Sequence, residues 1–307
     1  MSTTSSSAPF GGKVTVKTLH SKKLHGEPIT FLTAYDFPTA VALDRSGIDG
    51  ILVGDSVGMV VLGYGNTIPV TMQEMLHHCR AVSRGVSRAH MVGDMPFMSY
   101  QVSTAEALRN AGNLLQKGGM DAVKLEGGRE RVSAIKAIIS AGIPVMGHLG
   151  LTPQSVHQLG GWKVQAKSTE AARILIEDSL ILEDAGCYAL VLESIPAEVA
   201  DLISKRLSIP VIGIGAGAGC DGQILVTHDL LGLFDRFTPS FVKKYADLFS
   251  EMERAFREYI ADVKERRFPA AEHANSMDPQ AFHDLLRQFR VLEREIEQED
   301  NRPPRLN

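Results

Sequence analysis

The chain has 307 residues, 44% hydrophobic and 22% charged, with a formal net charge of -4, a globular balance that offers no basic surface for nucleic acid. Its three cysteines, Cys79, Cys187 and Cys220, are far apart and form no CxxC pair, which excludes a disulfide framework and a zinc ribbon. No window approaches the roughly 20 apolar residues of a membrane span, so a cytoplasmic protein acting on small molecules, with no membrane or nucleic-acid partner, is expected.

Residues 1–12, MSTTSSSAPFGG, are Ser/Thr-rich without an apolar core and read as a disordered tail. A transit peptide is the alternative, and the absence of Arg there argues against it. From residue 13 onward, strand-like apolar runs alternate with segments of helical period. Strands are expected over 29–35, 50–54, 90–93, 122–125, 144–148, 188–192, 210–214 and 223–227. Helices are expected over 71–83, 104–117, 131–140, 170–184 and 197–206, several followed by a capping glycine: Gly85, Gly118, Gly142 and Gly186.

Eight strands with intervening helices predict an α/β protein with a (βα)8 TIM barrel. An open doubly wound sheet is the alternative, but the repeat does not reverse and carries no GxGxxG after its first strand. The barrel is expected over 13–273, followed by a C-terminal helical extension over 274–307. In the extension Asp278-Pro279 starts a helix on which Phe282, Leu285, Leu286, Phe289, Leu292 and Ile296 recur at helical spacing. That face would pack on its own barrel or against a neighbouring subunit.

Active sites of such barrels lie where the strands end, and here the strand ends are acidic. LVGDS puts Asp55 and Ser56 after the second strand, GDMPF puts Asp94 after the third, and VKLEGG places Lys124 and Glu126 on the fourth. Each Asp alone is as well explained as a helix cap or turn residue. Together with Glu126 they are three neighbouring carboxylates that repel unless a cation stands among them. An all-oxygen set without a His/Cys cluster suits Mg2+.

Lys124 and Glu126, two apart on one strand, point to the same face, and an inward Lys suits an anionic substrate group. Glu193, ending the apolar run 189–192, is either a general base or a solvated strand end. His148 is a second acid/base or a hydrogen-bonded core imidazole. The glycine-rich stretch 211–219 is either an anion nest or a set of tight turns.

As an ordered set, LTAYD, LVGDS, GDMPFMSY, VKLEGG, GHLGLTPQSV, GGWKVQ, LVLES and IPVIGIGAG followed by DGQILVTHD resembles the 3-methyl-2-oxobutanoate (ketopantoate) hydroxymethyltransferase family over residues 13–273. The resemblance implies a (βα)8 enzyme of pantothenate biosynthesis that moves a one-carbon unit from 5,10-methylenetetrahydrofolate to 3-methyl-2-oxobutanoate, giving 2-dehydropantoate and tetrahydrofolate. It implies that Asp55 and Asp94 are magnesium ligands with Glu126 behind them, that Lys124 and Ser56 bind substrate, and that Glu193 accepts the proton. A keto acid chelating Mg2+ through its carboxylate and ketone oxygens would have its enolate stabilised, and that enolate would attack the methylene carbon. The resemblance also implies a homo-oligomer, a pentamer or decamer.

Two other readings compete. A magnesium-dependent lyase or mutase of the isocitrate lyase and phosphoenolpyruvate mutase type shares this fold and metal chemistry, but its KKCGH-like loop does not occur here. A catalytically silent ligand-binding barrel would use the same carboxylates only as caps.

Overall fold

A computed structural model describes residues 12–300. Eight parallel strands close into a barrel in sequence order: β1 (Ile29–Thr33), β2 (Gly50–Val53), β3 (His90–Asp94), β4 (Ala122–Glu126), β5 (Val145–Gly150), β6 (Ala189–Glu193), β7 (Val211–Ile214) and β8 (Gly222–Leu225). The expected strands are all present. Their ends move by at most two residues; at β8 Thr227 leaves the strand to start a helical turn and donates its hydroxyl to the carbonyl of Thr33.

Period-two alternation sorts each strand into an inner and an outer face. Phe31, Leu52, Val92, Met146, Val191, Ile212 and Ile224 form one apolar cluster that plugs the barrel interior. The other faces, with Ile51, Val53, Val123, Leu125, Leu190 and Val211, pack into the larger core under the surrounding helices. The helix Val16–Leu24 contributes Leu19 to the interior cluster, and His20 Nε2 lies 3.0 Å from the carbonyl of Tyr188.

Helices begin where side chains satisfy their free N–H groups. Thr71 and Glu74 form a capping box on Met72–Ser83, Ser103 caps Thr104–Gln116, and Ser168 caps Thr169–Asp184. Of the four glycines expected to end helices, Gly142 and Gly186 adopt positive φ. Gly85 and Gly118 do not; at Gly118 the requirement is space, because a Cβ would stand 2.4 Å from the carbonyl oxygen of Leu114. The connection from β7 to β8, residues 215–221, carries no helix.

The chain divides into a barrel unit ending at Leu248 and a helical unit starting at Phe249. The helical unit holds most of the helix Leu248–Lys264 and all of Pro279–Asp300. Phe268 is in ring contact with both Tyr259 and His273, at 5.7 and 5.1 Å between centroids. The expected C-terminal helix is therefore present and carries Phe282, Leu285, Leu286, Phe289 and Leu292; the side chain of Ile296 lies outside the described residues. So does the expected tail, apart from Gly12. No helix among the described residues is long and apolar enough to cross a membrane.

Candidate active site

Above the apolar plug, the inner face of the barrel turns polar. Asp94, Lys124, Glu126, His148 and Glu193 occupy inward positions on β3 to β6, and the pairing places Asp94 beside Lys124 and Glu126 beside His148. Asp55 and Ser56 follow β2, where Gly54 lets the chain turn tightly: a Cβ there would stand 2.9 Å from Ser56 Oγ. All seven residues singled out from sequence line one cavity of about 280 Å³. Asp55, Asp94, Lys124, Glu126 and His148 are buried.

Lys124 Nζ donates to both carboxylate oxygens of Asp94 at 2.8 Å. Burial pulls its ammonium down, but Asp94, Glu126 and Asp55 outweigh burial and push it up. Burial raises Asp94 against the pull of Lys124. Asp55 is pushed well above the usual carboxylate range by burial and by repulsion from Asp94 and Glu126, which Lys124 and a hydrogen bond from Gln154 only partly offset.

His148 stands between two carboxylates, with Nδ1 3.5 Å from Glu126 Oε1 and Nε2 3.2 Å from Glu193 Oε2. These are ion-pair contacts without hydrogen-bond alignment. Burial and the Lys124 ammonium push the imidazole down, yet the two carboxylates prevail and hold it at about 9. The carboxylates on either side thus favour its protonated form.

Three residues that the sequence did not single out organise this cluster. Gln154, in a loop after β5, donates its amide to Asp55 Oδ2 at 2.8 Å and to the carbonyl of Met95 at 2.9 Å, while its backbone N–H donates to Glu126 Oε2 at 3.0 Å. Tyr100 donates its hydroxyl to Gln154 Oε1 at 2.6 Å and accepts from the N–H of Glu126. Tyr35 and Ser56 share a hydrogen bond of 2.7 Å. Gln154 and Tyr100 lie inside the motifs GHLGLTPQSV and GDMPFMSY, but a neutral side chain carries no charge pattern to mark it.

The glycine-rich run does not build an anion nest in this cavity, and Gly215 to Gly219 are absent from its lining. These glycines serve close packing. A Cβ on Gly215 would stand 2.6 Å from the ring of Phe241, and one on Gly217 would stand 2.5 Å from Ala197 Cβ.

The donor set suits a hard divalent cation. Within this cluster Asp55, Asp94, Glu126 and Glu193 bring four carboxyl groups together beside two basic groups, Lys124 and His148. All the available ligands are oxygen, as Mg2+ prefers. Among the described residues no three His, Cys, Asp or Glu side chains stand as a ready ligand cluster; Lys124 engages both oxygens of Asp94 where a cation would compete.

Residues 13–271 match the family model described as ketopantoate hydroxymethyltransferase. The 3-methyl-2-oxobutanoate hydroxymethyltransferase of Clostridium novyi is 56% identical over 273 residues, covering 89% of this chain and 99% of the relative. That of Thermoanaerobacter sp. is 58% identical over 266 residues, covering 87% and 97%. In fold, the chain is similar to phosphoenolpyruvate phosphomutase from Streptomyces platensis, with a TM-score of 0.57 at 15% identity over 94% of this chain and 99% of that one. It is likewise similar to a phosphonopyruvate hydrolase solved with oxalate and Mg++, with a TM-score of 0.56 at 13% identity over 91% and 97%.

Proposed function

The chain belongs to the ketopantoate hydroxymethyltransferase family, and from that premise we propose that it converts 3-methyl-2-oxobutanoate to 2-dehydropantoate with 5,10-methylenetetrahydrofolate as one-carbon donor. The observation that carries the chemistry is the convergence of Glu193, Lys124 and the Asp55, Asp94 and Glu126 carboxylates on one cavity. Asp55 and Asp94, with Glu126 behind them, would hold a magnesium ion, which would supply Lewis acidity to the keto acid.

Glu193 takes the proton from C3 of the substrate. His148, 3.2 Å from it, orients this carboxylate. Lys124 and the Ser56 hydroxyl hold the carboxylate end of the keto acid, and the Tyr35 hydroxyl positions Ser56. The apolar plug beneath the site closes it from below. C3 then forms the new C–C bond to the donor's methylene carbon and becomes quaternary. Because the product gains a hydroxymethyl group, one water is consumed overall; its oxygen becomes the new hydroxyl as the folate leaves as tetrahydrofolate.

The test is proton NMR of 3-methyl-2-oxobutanoate in D2O with the purified protein, with and without Mg2+. Loss of the C3 proton signal that requires both protein and Mg2+ is expected, and Glu193→Gln should abolish it. Exchange that persists in Glu193→Gln at the wild-type rate would reject Glu193 as the base. The lyase reading has fold similarity alone in its favour.

A further inference from the structure

The cavity has two halves of different character. Its floor is the charged cluster, which suits a keto acid of a few atoms. Its mouth is walled by Trp162, Phe234, Phe237 and Phe241 together with Val164. Trp162 is 44% and Phe237 55% exposed, so aromatic surface stands in water at the entrance to a polar site. Such surface suits a flat, conjugated ligand that stacks on it.

One carboxylate of this cavity is unused by the chemistry above. Asp229 follows β8 and is 8% exposed. Among the described residues, no hydrogen bond or salt bridge to its side chain is present. Burial pushes its carboxyl up to about 6 against the pull of Lys244. Thr67, also on the cavity wall, has a buried hydroxyl with no partner. A buried carboxylate without donors is costly unless a ligand supplies them.

Resting on the folate-dependent reading above, we infer that Asp229 and the aromatic mouth form the subsite for the 2-amino-4-oxopteridine ring of the one-carbon donor. The ring N–H and the adjacent 2-amino group present two parallel donors to the two oxygens of Asp229, a bidentate charge-assisted pair. The ring faces lie against the aromatic wall. Gly215, which leaves no room for a Cβ beside Phe241, allows that wall to sit close to the barrel.

The experiment is calorimetric titration of the full chain, in Mg2+, with tetrahydrofolate and with its 2-desamino-2-methyl analogue. Wild type should bind tetrahydrofolate, and Asp229→Asn should weaken it about tenfold or more. The analogue should lose a similar factor on wild type but little further on Asp229→Asn, because both changes remove one interaction. In turnover, Asp229→Asn should raise the KM for methylenetetrahydrofolate far more than the KM for the keto acid.

Wild-type affinity for tetrahydrofolate in Asp229→Asn overturns the subsite, as do losses that simply multiply. Should the variant not fold, equal affinity of wild type for the two ligands overturns it. A wild type that exchanges the C3 proton but does not bind tetrahydrofolate rejects the folate donor and this subsite with it. A wild type that binds tetrahydrofolate with the expected discrimination, yet shows no exchange, supports the subsite and counts against the assigned base.

Discussion

The side-chain amide of Gln154 donates to Asp55 Oδ2 at 2.8 Å, tying the loop after β5 to the end of β2 across the top of the barrel. Gln154→Ala would leave Asp55, the carbonyl of Met95 and the hydroxyl of Tyr100 each short of a partner inside a buried network. Unsatisfied buried groups cost about 1–3 kcal/mol each, and relaxation recovers part of the sum. Urea unfolding should show the variant destabilised by about 2–4 kcal/mol, with C3 proton exchange reduced. Wild-type stability would mean that the amide only fills space.

Lys124 is the cation paired directly with Asp94. Lys124→Met removes it and leaves three buried carboxylates facing one another, and breaking a buried pair costs about 3–5 kcal/mol. The variant should melt well below wild type in a chelator. Magnesium binds only the folded protein in this account, so it should raise the melting temperature of wild type and, by a larger increment, that of the variant. Equal melting with and without Mg2+ in both proteins would exclude the carboxylates as a divalent-cation site.

The architecture was legible because hydrophobic period and strand-end chemistry are local properties. Lys124 and Glu126 share a face by spacing alone, and Gly-Asp recurs at the ends of two strands, so the charged floor is legible in the sequence. Gln154 and Tyr100 were not legible in this way. Their importance comes from loops folding over the rim to meet groups far away in sequence, and neither residue type announces that. The glycine run stays ambiguous in sequence for a related reason: its pattern is shared by anion nests and by backbones that must pack closely, and the ring of Phe241 and the Cβ of Ala197 show the close packing here.

Gly150 has φ +95, and a Cβ on it would stand 2.3 Å from the carbonyl oxygen of Glu193. Gly150→Ala therefore combines backbone strain with a clash that pushes β6 away from β5 at the site's own strand ends. We expect a loss of about 2–4 kcal/mol in stability. The folded fraction should lose C3 proton exchange by about 100-fold, since a displacement near 1 Å is costly at a base. Retained exchange at the wild-type rate would show that Glu193 tolerates displacement and so is not the proton acceptor.

His90 supplies a pH test away from the site. It is an inward residue at the start of β3, its Nε2 3.0 Å from the Tyr188 hydroxyl and its Nδ1 3.8 Å from Asp121. Burial pushes the imidazole down to about 4; Asp121 pulls it back up and Lys13 adds to the depression. In the unfolded chain the ring takes up a proton near its ordinary value of about 6.5, whereas the folded protein resists until about pH 4. The stabilising contribution is therefore complete above about 6.5, shrinks as the pH falls, and is gone once the folded form also protonates. At about 1.4 kcal/mol per pKa unit the change across this window is on the order of 3 kcal/mol. Urea unfolding of wild type and His90→Gln at pH 7.5 and 4.5 isolates it, because the acid response of the carboxylates is common to both. The wild type should lose more stability between the two pH values than the variant, by a few kcal/mol; equal losses would mean that His90 is already protonated in the folded barrel.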